Sequence, residues 1–162
     1  MNRYERLVRR VGGSRLFTVF GRRVLTPIDK RMHGHRTTLT TLGTHFPLCY
    51  LTTIGRRSGD PHTTPLLVID GPAGWMVAAT NFGGPRPAWA SNLRATPRAT
   101  FEREGHTYEV EARPATSEES EASWPIFEET WPAFATYRRR AGRDIDVFIL
   151  DPVEDDGARR AG

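Results

Sequence analysis

Glycine and proline set the rhythm of this chain: 15 glycines and 12 prolines fall among 162 residues, and from Pro47 onward they cut it into short apolar runs. Such punctuation disfavours long uninterrupted helices and calls for strands joined by tight turns. Leu48 to Ile54 alternates and is rich in β-branched residues, so it reads as a strand that ends at Gly55-Arg56-Arg57-Ser58-Gly59. Thr63 to Ile69 is a second strand, and Gly71-Pro72-Ala73-Gly74 turns it into a third, Trp75 to Thr80. Pro65 cannot donate to a ladder, which predicts a sheet edge or a bulge at that point.

The loop from Asn81 to Pro87 leads to a short helix that starts at Pro87 or Ala88 and ends at Ala95. Ala99–Arg103 and Thr107–Ala112 form a hairpin around Gly105, with Tyr108, Val110 and Ala112 on one face and Glu109 and Glu111 on the other. Thr116-Ser117-Glu118-Glu119 has capping-box spacing and opens a helix. Trp124, Phe127, Trp131 and Phe134 follow as an aromatic stripe, and Pro125 and Pro132 predict that this helix is kinked or broken. Ile145 to Leu150 is the last strand, ahead of a flexible charged tail from Glu154. Mostly antiparallel strands with short flanking helices make a small α+β, barrel-like domain. No G-x-G-x-x-G follows a strand, so a doubly wound dinucleotide fold is disfavoured.

Residues 1–24 read as a basic amphipathic helical segment. Tyr4, Leu7, Val8 and Val11 recur at helical spacing, Leu16, Phe17 and Phe20 resume the pattern, and arginines fill the other face. The segment suits either a helix laid on the domain or one that docks on anionic lipid. No apolar run approaches the ~20 residues of a membrane span, and no secretory leader is evident. The lone Cys49 excludes an intrachain disulfide and lies in an apolar run, which predicts a buried, inert thiol in a reducing cytoplasm. The net charge of +4, carried almost wholly by arginine with Lys30 as the only lysine, points to an anionic partner.

Three segments offer chemistry. The turn Gly55–Gly59 combines converging backbone N–H groups, the Ser58 hydroxyl and two guanidiniums, as a phosphate or carboxylate site requires; alone, it also reads as a solvated arginine turn. Ala79-Thr80-Asn81-Phe82-Gly83-Gly84 ends a strand with a hydroxyl and an amide. Pro87-Ala88-Trp89-Ala90-Ser91-Asn92 starts a helix whose open N–H groups favour anions. All three lie at predicted strand ends. His33, His35, His45, His62 and His106 show no metal-ligand spacing, so no metal is expected. Asp144 and Asp146 show no partner and read as turn and edge residues.

Taken in order, Leu51–Leu66, Ala79-Thr80-Asn81, Pro87-Ala88-Trp89, Asn92–Pro97, Trp124-Pro125 and Trp131-Pro132-Ala133-Phe134 resemble the deazaflavin-dependent nitroreductase family over roughly residues 21–151. The resemblance implies a split β-barrel of the FMN-binding type over residues 25–153. It implies an oxidoreductase that transfers hydride from reduced coenzyme F420 to a quinone, activated alkene or nitroaromatic. It also implies the site. Arg56, Arg57 and Ser58 would hold the cofactor's phosphate and acidic tail, and His62, Thr63, Thr64, Pro65, Leu66 and Leu67 would line it. Ala78, Ala79, Thr80 and Asn81 would meet the ring, and Ala88, Trp89, Ala90, Ser91 and Asn92 would supply helix-start N–H groups and packing. Leu67, Trp131, Phe134 and Tyr137 would face the acceptor, with Tyr137 and Thr80 as proton-donating hydroxyls. Phe134 stands where relatives often carry a tyrosine. Alternatives are an FMN-binding split-barrel reductase and a non-catalytic F420- or lipid-binding protein. Nucleic acid is disfavoured because aromatics do not interleave with arginine on a strand face.

Overall fold

A computed structural model describes residues 47–153. Within them, β1 (Leu48–Ile54), β2 (Pro61–Gly71) and β3 (Gly74–Ala78) precede a 3-10 turn (Asn81–Gly83) and α1 (Ala88–Ala95). Then come β4 (Arg98–Arg103), β5 (His106–Pro114), α2 (Ser117–Thr130), α3 (Ala133–Ala141) and β6 (Val147–Pro152). The expected helix over 1–24 and the tail from 154 lie outside the described residues. The strands close into a barrel in the order β1-β2-β3-β6-β5-β4, and every neighbouring pair is antiparallel. This is the split-barrel, α+β architecture expected from the sequence.

Alternation along the strands sorts the apolar side chains into two cores. Cys49, Leu51, Val68, Val77, Phe101, Val110, Phe148 and Leu150 fill the barrel, which Trp89, Ala90 and Leu93 of α1 plug. Ile69, Met76, Ala78, Val147 and Ile149 face outward and are covered by Trp124, Phe127, Phe134 and Tyr137 of α2 and α3. Among the described residues no helix covers β4 and β5 in this way, and there Thr100 donates to Glu109 across the outer face at 3.0 Å. Burial pushes the Cys49 thiol up to about 12, so it behaves as a small hydrophobe.

Pro65 sits at an edge, as its chemistry requires. β2 pairs with β1 from Pro61 to Leu67 but with β3 only from Val68 to Gly71, so half of β2 has one strand neighbour among the described residues. The second proline expectation is half right. The break falls at Trp131-Pro132, between α2 and α3, whereas α2 runs through Pro125 without interruption. Pro125 lies on the exposed side of α2, where the carbonyl it deprives of a partner can be hydrated. The last strand starts two residues later than the alternation suggests, because Ile145 belongs to the covered outer core before pairing begins at Val147.

The capping box is formed: Glu119 N–H donates to Thr116 Oγ1 at 3.2 Å and Thr116 N–H to Glu119 Oε2 at 2.8 Å. Arg113 adds a forked pair to the Glu119 carboxylate at 2.8 and 2.9 Å, and its hydrogen bonds hold that carboxyl at about 2 instead of 4.5. Because the folded value is depressed, the stabilisation is complete above pH 4.5 and is lost as pH falls toward 2. Thr116→Ala is expected to cost about 1 kcal/mol in urea denaturation at neutral pH. Glu119→Gln should flatten the loss of stability between pH 4.5 and 2.

Candidate active site

The antiparallel circuit sends the C-terminal ends of β1 and β3 and the N-terminal ends of β2 and β6 to one end of the barrel. The turn 55–59, the loop 79–87 and the start of α1 therefore gather there. The cleft between them comes from a missing ladder. Continued past Val68↔Val77, the β2–β3 register would set Leu67 opposite Ala78 and Leu66 opposite Ala79. Instead the Ala79 N–H donates to Asp146 O at 2.8 Å and the Thr80 N–H to Ala78 O at 2.9 Å. β3 stays with the β6 side and leaves the half-strand Pro61–Leu67 standing apart.

The turn is rigid at its base. Gly55 N–H donates to Asp60 O and Gly59 N–H to Gly55 O, both at 2.8 Å. The buried Asn92 of α1 accepts from Arg56 N–H at 3.1 Å and donates to Thr53 Oγ1 at 3.1 Å. Ser58 Oγ lies 3.3 Å from His62 Nε2 and accepts from Asp60 N–H at 3.2 Å. A side chain at Gly55 would fill this cradle, since its Cβ would fall 2.6 Å from Ser58 Oγ and 2.8 Å from His62 Nε2. Arg56 and Arg57 are exposed, and their guanidiniums pair with no described residue. At the same end, the helix start at Ala88 has no side-chain cap. Trp89 and Ala90 turn into the barrel core, where Trp89 meets Phe148 edge-on at 5.7 Å, while Ser91 stays partly exposed.

Strand alternation divides the stretch 62–67. Thr53↔His62, Leu51↔Thr64 and Cys49↔Leu66 set His62, Thr64 and Leu66 on the barrel side. Thr63, Pro65 and Leu67 lie on the other face, with Thr63 Oγ1 2.8 Å from Thr52 Oγ1 and Leu67 packed against the outer core. Across the cleft, Ala78, Ala79 and Thr80 are buried. Asn81, Phe82 and Gly83 take left-handed φ of 42°, 57° and 80°, a conformation in which a phenylalanine is strained. Asn81 Nδ2 donates to Pro85 O at 2.9 Å.

Trp131, Phe134 and Tyr137 come together, with different roles. Phe134 is enclosed by Trp124, Phe127 and Tyr137, with centroids 6.3, 5.2 and 5.9 Å away. Trp131 Nε1 donates to the Tyr137 hydroxyl at 3.3 Å, and Phe82 meets Tyr137 edge-on at 5.7 Å. Burial raises the Tyr137 pKa above the ordinary 10, so the phenol keeps its proton across the neutral range. Asp146, read from sequence as a partnerless edge residue, is a junction that accepts from Arg86 Nε at 2.6 Å and Arg94 Nη2 at 2.8 Å. Arg143 and the junction role of Asp146 carry no local signal in the sequence, and Phe82 enters there only as part of the segment 79–84. Among the described residues no His, Cys, Asp or Glu cluster could hold a metal, and no helix is long and apolar enough to cross a membrane.

A barrel split along β2, with a basic turn and a helix start at its open end, defines a split-barrel protein with a basic, polar rim. The sequence profile of the F420H(2)-dependent quinone reductases matches residues 14–152. An F420H(2)-dependent quinone reductase of Mycobacterium tuberculosis is 28% identical over 108 residues, covering 64% of this chain and 72% of its own. A solved F420-H2 dependent reductase superposes with a TM-score of 0.55 at 27% identity, covering 67% of this chain and 100% of its own. The heme storage protein HutZ of Vibrio cholerae shares the fold at a TM-score of 0.51 and 15% identity, over 68% of this chain and 84% of its own. This chain belongs to the F420H(2)-dependent quinone reductase family, whose enzymes use reduced F420.

Asn92 holds turn and helix together, and its removal strands the Arg56 N–H and the buried Thr53 hydroxyl. Asn92→Ala is expected to cost about 1–3 kcal/mol in chemical denaturation, whereas Ser91→Ala should cost little.

Proposed function

We propose that the chain binds reduced F420 in the cleft between β2 and residues 79–84 and reduces an electron-poor acceptor on the side of Trp131 and Tyr137. A quinone is the class the family implies, and activated alkenes and nitroaromatics share its electron demand. The observation that carries this reading is the pair of guanidiniums at Arg56 and Arg57, unpaired with any described residue on a turn that Asn92 fixes to α1. The exposed tip of the 55–59 turn and the uncapped start of α1 suit the cofactor's phosphodiester and acidic tail.

Reduced F420 supplies the hydride when bound; the protein supplies position, exclusion of water and polarisation of the acceptor. Arg56, Arg57 and Ser58 hold the charged groups. Thr63, Pro65 and Leu67 form one wall and Ala78, Ala79, Thr80 and Asn81 the other, while His62, Thr64 and Leu66 support the turn and barrel side. Ala88 to Asn92 bring helix-start N–H groups to the rim. Leu67, Trp131 and Tyr137 border the acceptor, and Phe134 backs Tyr137. The Tyr137 hydroxyl, oriented by Trp131, donates a hydrogen bond or proton to the acceptor oxygen, with Thr80 as the second hydroxyl.

Arg57→Ala and Arg56→Ala should each weaken F420 affinity by about 1.5–3 kcal/mol in a fluorescence titration, the scale of a hydrogen bond to a charged group. Unchanged affinity in both would remove the role, and tighter binding of FMN than of F420 in a parallel titration would favour a flavin enzyme. Tyr137→Phe should leave F420 affinity intact and lower kcat with menadione by about tenfold or more. Because the Tyr137 pKa is raised, the wild-type rate should show no loss of this donor below pH 10.

The arginine-rich sequence of residues 1–24 supports a further element of the proposal: a cytoplasmic enzyme brought by that segment to an anionic bilayer, where quinones partition. Liposome co-sedimentation that is equal for full-length and truncated protein would overturn it.

A further inference from the structure

Arg143 is an arginine that the functional reading leaves without a task. Its Nη2 donates to Ala79 O at 3.0 Å and to Gly84 O at 3.4 Å, and its Nη1 to Asp144 O at 2.9 Å. Its Nε is buried with no partner among the described residues, and no described carboxylate forms an ion pair with it. One guanidinium nitrogen thus spans the two ends of the loop 79–84. Between those ends lie three consecutive left-handed residues, two of them not glycine. Strain of that kind, on the order of 1–3 kcal/mol per residue, persists only where the surroundings impose it.

The surroundings that impose it can be named. Gly83 N–H donates to Thr80 O at 2.8 Å and Gly84 N–H to Asn81 O at 3.0 Å, closing the turn from within. Gly83 presses on α3 so closely that a Cβ would stand 2.8 Å from Arg140 Cβ and 3.0 Å from Tyr137 O. Arg143 closes the turn from below. Its product is the placement of Phe82, partly buried in the outer core with its ring edge-on to Tyr137. The inner lip has its own anchor, because the Ala79 N–H is tied to Asp146 O whether or not Arg143 is present. Loss of Arg143 therefore slackens the outer half of the loop, which borders the acceptor, more than the inner half.

We propose that Arg143 is a positioning residue for acceptor binding: by bridging the carbonyls of Ala79 and Gly84 it holds Asn81–Gly83 in its left-handed turn and fixes Phe82 against Tyr137. This rests on the reading of the cleft as an F420 and acceptor site. The test compares wild type with Arg143→Ala, Arg143→Lys and Phe82→Gly. It follows amide exchange at Gly83 and Gly84 in the protein without cofactor, Kd for F420, and KM and kcat for menadione.

In Arg143→Ala, which loses the hydrogen bonds to Ala79 O, Gly84 O and Asp144 O, exchange at both glycines and the menadione KM should each rise at least about tenfold, with kcat and the F420 Kd within about threefold of wild type. Arg143→Lys, or millimolar guanidinium added to Arg143→Ala at a concentration too dilute to denature, should restore both in part. Phe82→Gly should raise KM while leaving exchange slow, since glycine accepts the turn without strain. Wild-type exchange and KM in Arg143→Ala overturn the proposal. So does a parallel rise in KM and F420 Kd that neither lysine nor guanidinium relieves. If Arg143→Ala does not fold, a wild-type KM in Phe82→Gly overturns it. Absence of F420 binding by the wild-type protein defeats the functional reading, whereas fast exchange confined to the Arg143 variants still supports the clamp.

Discussion

The hydrogen bond from Ala79 N–H to Asp146 O, at 2.8 Å, decides the shape of the working end of this molecule. A buried backbone N–H must find an acceptor, and strand alternation turns this one toward the chain entering β6. The next N–H, that of Thr80, which a continued strand would turn toward β2, closes on Ala78 O at 2.9 Å instead. β3 therefore parts from β2 after Val68↔Val77, and the half of β2 that carries Pro65 is left with one neighbour among the described residues. The cleft is the space that this parting opens. Asp146 reinforces the parting with its side chain, which gathers Arg86 from the loop and Arg94 from α1 onto the same short segment.

The arginines divide accordingly, and composition could not have told them apart. Arg86 and Arg94 share one carboxylate, Arg103 makes a forked pair with Asp70 at 2.7 and 3.0 Å, and Arg113 makes another with Glu119. Each of these charges is spent inside the fold. Among the described residues Arg143 is held by carbonyls alone. Arg56 and Arg57, at the tip of a turn with a rigid base, have their guanidiniums turned to solvent. A positive net charge signals an anionic partner only through residues of this last kind. Among the described residues Arg98, Arg139 and Arg140 also form no ion pair; Arg56 and Arg57 differ from them in being neighbours on a turn flanked by the cleft and a helix start.

Local rules were enough for most of the fold. β1 and α1 fall where alternation and turn residues set them, the Thr116 box closes as its spacing demands, and Val110 and Ala112 face inward while Glu109 and Glu111 face water. Where local rules failed, a distant contact or water had the deciding role. Pro125 is tolerated because its side of α2 faces solvent. Asp146 looked idle because its partners stand 52 and 60 residues away. The stretch 62–67 is expected to line the cofactor, and period-two alternation divides its side chains between the barrel side and the opposite face.

The aromatic trio shows how packing partners differ between two equally buried side chains, Phe134 and Tyr137. Phe134, Trp124 and Phe127 pack ring against ring beneath α2 and α3, and a hydroxyl on Phe134 would have to find a partner inside that cluster. Tyr137 stands at the margin of the same cluster, where Trp131 can reach its oxygen and Phe82 closes over its ring. The polar atom is thus placed where the loop and the helices meet, at the boundary of the cleft, and its proton is retained because the surroundings are apolar. α3 meets the packing needs of the outer core through Phe134 and, on the proposed reading, carries the acceptor-side hydroxyl of Tyr137 one turn further on. The left-handed turn at Asn81–Gly83 is the part of the backbone that has to bend for both.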